Sequence, residues 1–280
     1  MILCMIFFSL NDTTIKYILS KSENKAILAE VIFLRGVFST IILGIYLYLN
    51  DKLNFKILKS PALHLRGLFE SIAGLFFFIG LIFLPLGDLY ALLNLAPILI
   101  TAAGAFFLKE KVGWRRWTAV LFGFLGVIII IHPQHLQFGY AFIFPLVSAI
   151  FIAKRDTITR KMLNKFDSLH VIFITSIFIT VFFGFGMFFY YQPINFYTLQ
   201  FIFLSSILIL FGYFFSVKAI KATNISITSP FRYTILIWGI IFGYYIFKEI
   251  PSYNMIFGSC IIAASGIFII IREKKIGIIK

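Results

Sequence analysis

Ten apolar runs can be drawn along the chain, at approximately residues 1–19, 27–49, 67–84, 88–108, 114–131, 138–155, 169–190, 197–217, 225–247 and 253–271. Each is close to the roughly 17–25 residues that an α-helix needs to cross the hydrocarbon core of a bilayer. The two longest links, about 50–66 and 156–168, are too short for a soluble domain. In lipid the backbone has to satisfy its own hydrogen bonds, so the pattern predicts an all-α membrane protein of ten transmembrane helices.

One segment occurs twice. LNLAPILITAAGAFFLKEKVGWRRWTAVLFGFLGVIII (Leu93–Ile130) returns as YTILIWGIIFGYYIFKEIPSYNMIFGSCIIAASGIFII (Tyr233–Ile270), and Lys109-Glu110 falls on Lys248-Glu249, 139 residues later. A one-residue slip then brings Gly126 onto Gly266. The repeat divides the chain into halves at 1–133 and 134–280, five spans in each. Because five is odd, the second half enters the membrane upside down. An inverted five-plus-five repeat of this kind underlies alternating access, with a site expected near the midplane between the halves.

Composition agrees. The 280 residues are 61% hydrophobic and 13% charged, with 37 phenylalanines, more apolar surface than a soluble chain of this length can hide. The net charge of +14 would suggest nucleic acid as a partner in a soluble protein. Here the basic residues lie mostly between apolar runs, which reads as membrane topology and no nucleic-acid partner. With both termini inside, the inner segments hold 19 of the 25 Lys and Arg residues, and the outer links 84–87, 132–137 and 190–196 hold none. The duplicated segment follows the same rule: KEKVGWRR carries four basic residues and its counterpart KEIPSYN one. Cys4 and Cys260 sit in apolar runs without metal or disulfide spacing. The first run begins at Met1 without a small-residue cleavage site, so it reads as a span.

The segment from Arg66 to Pro133, RGLFESIAGLFFFIGLIFLPLGDLYALLNLAPILITAAGAFFLKEKVGWRRWTAVLFGFLGVIIIIHP, resembles the first EamA-type repeat of the drug/metabolite transporter superfamily. SPFRYTILIWGIIFGYYIFKEIP (Ser229–Pro251) is similar to that family's ninth span, especially in the bacterial branch that includes S-adenosylmethionine and other metabolite permeases. FSLNDTTIKYILS (Phe8–Ser20) and EVIFLRGVFS (Glu30–Ser39) look like its first two spans. The resemblance implies ten helices, cytoplasmic termini and a central cavity lined from both halves. It does not specify the cargo.

Charged groups inside spans are costly unless they pair or line water, which makes them functional candidates. Asn11, Asp12 and Lys16 fall in the first span; Asp12 and Lys16, four apart, share a helical face as either a pathway carboxylate with its amine or a structural pair near the outer interface. Glu30 and Arg35 in the second span are five residues apart and point to different neighbours, so each is expected to find a partner or a cavity on another helix. Glu70 follows Arg66 by four residues at the inner end of span three, as a solvated bridge or a functional carboxylate. Arg232, flanked by Phe231 and Tyr233, offers bidentate recognition of a carboxylate with aromatic neighbours; snorkelling to the inner headgroups is the alternative. Asn94 and Pro97 interrupt span four and Pro145 span six, each freeing a carbonyl for a ligand or a kink. Trp238, Tyr244 and Tyr245 face either a cavity or lipid, and Gly104, Gly123, Gly126, Gly258 and Gly266 read as close helix contacts.

The substrate-binding candidates are therefore Arg232, Tyr233, Phe231, Asn94, Trp238, Asn11 and Arg35, with Asp12, Glu30 and Glu70 as coupling carboxylates. No GxxxxGKS loop, HExxH or GxSxG occurs, and His64, His132, His135 and His170 lie at or near span ends, so neither a metal nor a cofactor is expected. The expectation is a secondary transporter, not an enzyme, of the bacterial cytoplasmic membrane. It would move a small polar, amino-acid-like metabolite, S-adenosylmethionine included, by proton coupling or exchange. The bilayer and the solute are the expected partners, with a homodimer left open. Efflux of amino acids or toxic compounds is the alternative within the class, and a membrane-embedded enzyme or lipid flippase the alternative outside it.

Overall fold

The computed structural model describes residues 1–52, 59–110, 112–130, 140–162, 165–187, 194–250 and 252–275. Lys56, Lys111, Lys280, His132, His135 and the 132–137 link lie outside the described residues. In chain order the helices are α1 (Ile2–Lys21), α2 (Ile27–Leu49), α3 (Pro61–Phe83), α4 (Leu86–Leu93), α5 (Ala96–Phe107), α6 (Trp114–Ile130), α7 (Ile143–Met162), α8 (Ser168–Met187), α9 (Phe196–Ala222), α10 (Ile225–Thr228), α11 (Thr234–Phe247) and α12 (Tyr253–Lys275). A 3-10 turn, Ser229–Tyr233, joins α10 to α11. All regular structure among the described residues is helical. Among the described residues seven helical stretches are long and apolar enough to cross a membrane, with α4–α5 and the 3-10 turn with α11 each counted as one.

Two apolar runs are broken within their length: span four, where Asn94 and Pro97 interrupt the pattern, and span nine, which reads as a single span. At α4–α5 the cause is Pro97, which has no N–H to give the carbonyl four residues back. The chain tightens there, Asn94 N–H reaching Ala91 O at 3.3 Å and Leu95 N–H Leu92 O at 3.2 Å, each three residues back. Pro230 stands in the second break, inside the 3-10 turn. The two breaks face each other, with the hydroxyls of Thr101 and Ser229 2.8 Å apart.

Other limits differ from the pattern reading. Ser60 and Pro61 start α3 six residues before the expected 67, since proline suits a first helical turn. α7 runs on to Met162, and its last two turns hold buried Arg155, Asp156 and Thr159. Hydropathy alone ended that span at 155 because it assigns charge to water.

The first half packs against the second. α1 lies on α9, α2 on α8, α3 on both α7 and α8, and α6 on α12; α4 and α5 lie along α11, the 3-10 turn and α10. Lipid gives apolar faces little reason to associate, so close packing at small residues has to hold these contacts. Gly212 of α9 meets the ring of Phe8, and Gly239 of α11 meets the ring of Tyr90; a Cβ at either would overlap the aromatic carbons. Of the glycines expected at contacts, Gly123 packs on Tyr233 in the same way.

Candidate functional site

α1, α2, α3, α5, α7, α8, α9 and the two helix breaks surround a central cavity whose walls carry Asn11, Asp12, Arg35, Glu70, Asn94, Arg155 and Arg232 among apolar side chains. It offers about 100 Å³ to the centre of a water-sized sphere, against the roughly 10–15 Å³ that one water occupies. The site is therefore polar and roomy enough to be wet.

One wall is a chain of alternating charges. Arg155 on α7 gives Nη1 to both Glu70 oxygens, at 2.9 and 2.7 Å, and Nε to Asp156 Oδ1 at 2.9 Å. Asp156 Oδ2 takes Arg232 Nη2 from the 3-10 turn. Tyr213 on α9 donates its hydroxyl to Glu70 Oε1 at 3.0 Å. Two carboxylates and two guanidiniums thus cancel, and both arginines are committed. The desolvation of each ion is offset only while its partners remain. Beside this wall Arg66 bonds through Nε to the Thr159 hydroxyl at 2.9 Å and through Nη1 to Thr175. The Arg66–Glu70 bridge expected from their spacing is not formed, because Arg155 takes the carboxylate and both residues are buried rather than at the headgroups.

Another part of the wall is incompletely paired. Arg35 on α2 makes one hydrogen bond, Nη1 to Asn11 Oδ1 at 3.3 Å, and its guanidinium lies 5.2 Å from the centre of the Phe78 ring. Asn11 also accepts from the Ser205 hydroxyl at 2.7 Å and donates to Asp12 Oδ1 at 2.9 Å. Asp12 Oδ2 takes the Tyr90 hydroxyl at 2.8 Å. Among the described residues neither Arg35 nor Asp12 enters an ion pair, although Arg35 is only 3% and Asp12 only 7% exposed. Asn94, buried on the cavity wall at the first break, leaves its Nδ2 without a hydrogen-bond partner. Among the described residues, a buried guanidinium with one hydrogen bond, a buried carboxylate with no ion pair and an unused amide donor thus share one cavity.

Of the residues named from sequence, Asn11, Asp12, Arg35, Glu70, Asn94 and Arg232 come together on the cavity wall. Phe231, Tyr233, Trp238 and Glu30 do not. Tyr233 is buried with its hydroxyl 3.4 Å from Val120 O, and Trp238 stacks on Phe242. Tyr244 and Tyr245 are exposed on the outside of the bundle. Glu30 is buried in the first turn of α2 and has a partner. Asp12 and Lys16 do not pair; Lys16 reaches Glu249 instead. Sequence reasoning missed Arg155, which counts among the 19 inner basic residues, and Asp156, to which it gave no role. The signal available was Glu70, a carboxylate in an apolar run whose partner had to come from another helix.

A family model described as the EamA-like transporter family matches residues 1–132 and again 137–272. The S-adenosylmethionine uptake transporter of Rickettsia prowazekii (strain Madrid E) is 28% identical over 98% of this chain and 92% of its own length. The riboflavin transporter of Vibrio cholerae serotype O1 is 27% identical over 68% of this chain and 64% of its own. A crystal structure superposes with a TM-score of 0.68 over 94% of both chains at 14% identity, a likeness of fold.

Proposed function

Because the chain belongs to the EamA-like transporter family, a family of multi-span membrane proteins, we propose that it carries a small zwitterionic metabolite through the central cavity. Arg35 takes the carboxylate of the solute and Asp12 its cationic group. The observation that carries this reading is the pair itself: opposite charges on one cavity wall, bridged by Asn11 and each without an ion partner among the described residues. Holding a charge in such a place without a direct ion pair is costly, and a zwitterion would offset both costs together. Asn94 Nδ2 would supply a further donor to the carboxylate. S-adenosylmethionine, with a carboxylate, an amino group and a sulfonium, fits this demand and is the solute for which several relatives are named.

The same reading takes ten spans in an inverted five-plus-five arrangement, halves at 1–133 and 134–280, and both termini on the cytoplasmic side of a bacterial inner membrane. The charge distribution supports it, as do the two family matches, one per half. So does the pairing of helices, in which α1–α9 and α3–α7 exchange roles when the halves are exchanged. Transport is driven by a proton gradient or by exchange. Asp12 is the coupling carboxylate, since Glu70 is held by Arg155 and Tyr213 and Glu30 lies away from the cavity.

Purified protein in proteoliposomes tests this. Labelled S-adenosylmethionine should accumulate, unlabelled S-adenosylmethionine should compete, and the decarboxylated analogue should compete at least tenfold less well. Equal competition by the decarboxylated analogue would remove the carboxylate from the argument.

A further inference from the structure

The duplicated Lys-Glu dipeptides lie outside the cavity, yet they make the same contacts twice. Lys109 and Lys248 both take left-handed backbone, φ 53° and 57°, so the chain turns back identically after α5 and after α11. The next amide then reaches six residues back, Glu110 N–H to Gly104 O and Glu249 N–H to Gly243 O, each at 3.0 Å. Each carboxylate folds onto that glycine, where a Cβ would stand 2.9 Å from Glu110 Oε2 and 2.8 Å from Glu249 Oε2.

From there each carboxylate crosses to the other half. Glu249 Oε2 accepts the amide of Leu86, the first residue of α4, at 3.2 Å. Glu110 Oε1 accepts the amide of Ile225, the first residue of α10, at 3.1 Å. Both helices lack a side-chain cap of their own, the preceding residues being Pro85 and Asn224. A helix start presents unpaired N–H groups and partial positive charge, so a carboxylate there serves as cap and counter-charge together. Leu86 and Ile225 are themselves 139 residues apart, the spacing of the repeat. The two broken helices thus lie side by side, each fastened at its start by the glutamate that ends the other.

At the Glu249 end a third element joins. Lys16 on α1 pairs with Glu249 Oε1 at 2.5 Å, donates to Leu84 O at 3.3 Å and lies 5.1 Å from the Phe247 ring centre. Lys16 is one helical turn beyond Asp12 on the same face. The other half is built in parallel: on α7, Arg155 lines the cavity, and Arg160, a little over a turn on, donates to Ile220 O at 2.9 Å and to Asn224 Oδ1 at 3.2 Å. In each half the first helix carries a cavity charge and, beyond it, a cation that holds the link from the third helix to the broken fourth.

We infer that Glu110 and Glu249 are positioning residues that cap the opposite half's broken helix, and that the Lys16–Glu249 pair is the latch closing the outer end of the cavity. The assignment of that end to the outside rests on the topology proposed above. A solute cation drawn to Asp12 acts on the same helix that carries the latch, which ties occupancy of the cavity to release of its outer end.

The test uses the full-length protein in proteoliposomes, with Cys260→Ser and Cys4→Ser removing the native thiols and Gly74→Cys placing one on the cavity wall. The probe is a membrane-impermeant, positively charged methanethiosulfonate added outside. Glu249→Gln keeps an oxygen for the Leu86 amide and loses only the ion pair, so the fold is retained while the latch is not. Glu249→Gln and Lys16→Met should each speed labelling about tenfold, the factor that about 1.4 kcal/mol gives. The double variant should be no faster than either single one, because both remove the same pair. Glu110→Gln, at the other end, should leave outside labelling unchanged. Multiplying effects in the double variant, no acceleration, or an equal effect of Glu110→Gln would overturn the latch. Labelling requires no solute, so this outcome is independent of whether S-adenosylmethionine is carried.

Discussion

Arg35 and Arg232 lie on the same cavity, and replacing each by alanine should have opposite consequences. Arg35 gives up one 3.3 Å hydrogen bond to a neutral amide and one aromatic contact. No carboxylate loses a direct ion pair, since Asp12 is held by Tyr90 and Asn11, and removing an incompletely paired buried charge relieves a desolvation cost. Arg35→Ala should therefore melt within a few degrees of the unaltered protein. Its solute affinity should fall about ten- to hundredfold, the worth of one charge-assisted contact at about 1.5–3 kcal/mol. Arg232 is different, because its loss leaves Asp156 with Arg155 alone, and Arg155 already serves Glu70. Breaking a buried pair from one side costs about 3–5 kcal/mol, so Arg232→Ala should lower the melting temperature strongly. Arg232→Lys should recover most of that loss by restoring a cation to Asp156. The assays are thermal melting in detergent without solute and titration of S-adenosylmethionine by its stabilising shift. If Arg35→Ala melts as early as Arg232→Ala, or binds within twofold of the unaltered protein, the assignment of Arg35 as carboxylate anchor is wrong.

Asp12→Asn keeps one acceptor oxygen for Tyr90 and loses the one that Asn11 uses, and it cannot carry a proton, so pH-driven accumulation should vanish while counterflow exchange persists at lower solute affinity; accumulation that survives would exclude Asp12 as the coupling group. Gly239→Ala pushes a methyl into the Tyr90 ring and should cost about 1–3 kcal/mol of stability, as overpacking does, with an unchanged melting temperature counting against the close contact. On a Cys260→Ser background, an impermeant thiol reagent added outside should label Ser252→Cys and spare Val112→Cys; equal labelling would refute the inverted topology.

The spans were legible because their signal is local. A run of apolar residues records its own burial in lipid, and α1, α2, α8 and α9 fall close to where hydropathy placed them. The limits that moved did so where a helix continues while its side chains turn polar. α7 keeps its hydrogen bonds through Arg155, Asp156 and Arg160 because those side chains find partners on α3, α9 and the 3-10 turn. Hydropathy reads each residue alone and cannot see a partner on another helix. The break at Pro97 was legible for the same local reason that the spans were: one missing N–H is a property of one residue.

Site residues followed the same division. That Asp12, Arg35, Glu70 and Arg232 would face protein rather than lipid follows from the cost of charge in a span, a property of each position. Which of them remains unpaired is a property of the assembled bundle. Asp12 and Lys16 have the spacing of an i,i+4 pair, yet Lys16 turns to Glu249 and Asp12 to Tyr90. Arg232 has the chemistry of a carboxylate anchor, yet Asp156 already occupies it. Arg35 looked no more telling than Arg232 in sequence, and it differs because α1 presents an amide to it where α7 presents an acid to Arg232. Asn11 and Arg35 stand on the first and second helices of one half, Asp156 and Arg232 on the first and the broken fourth of the other, so the asymmetry comes from the residue types that each half carries. One part of the cavity wall is thereby closed with matched charges, and under the proposed function the other part is left for the solute to complete.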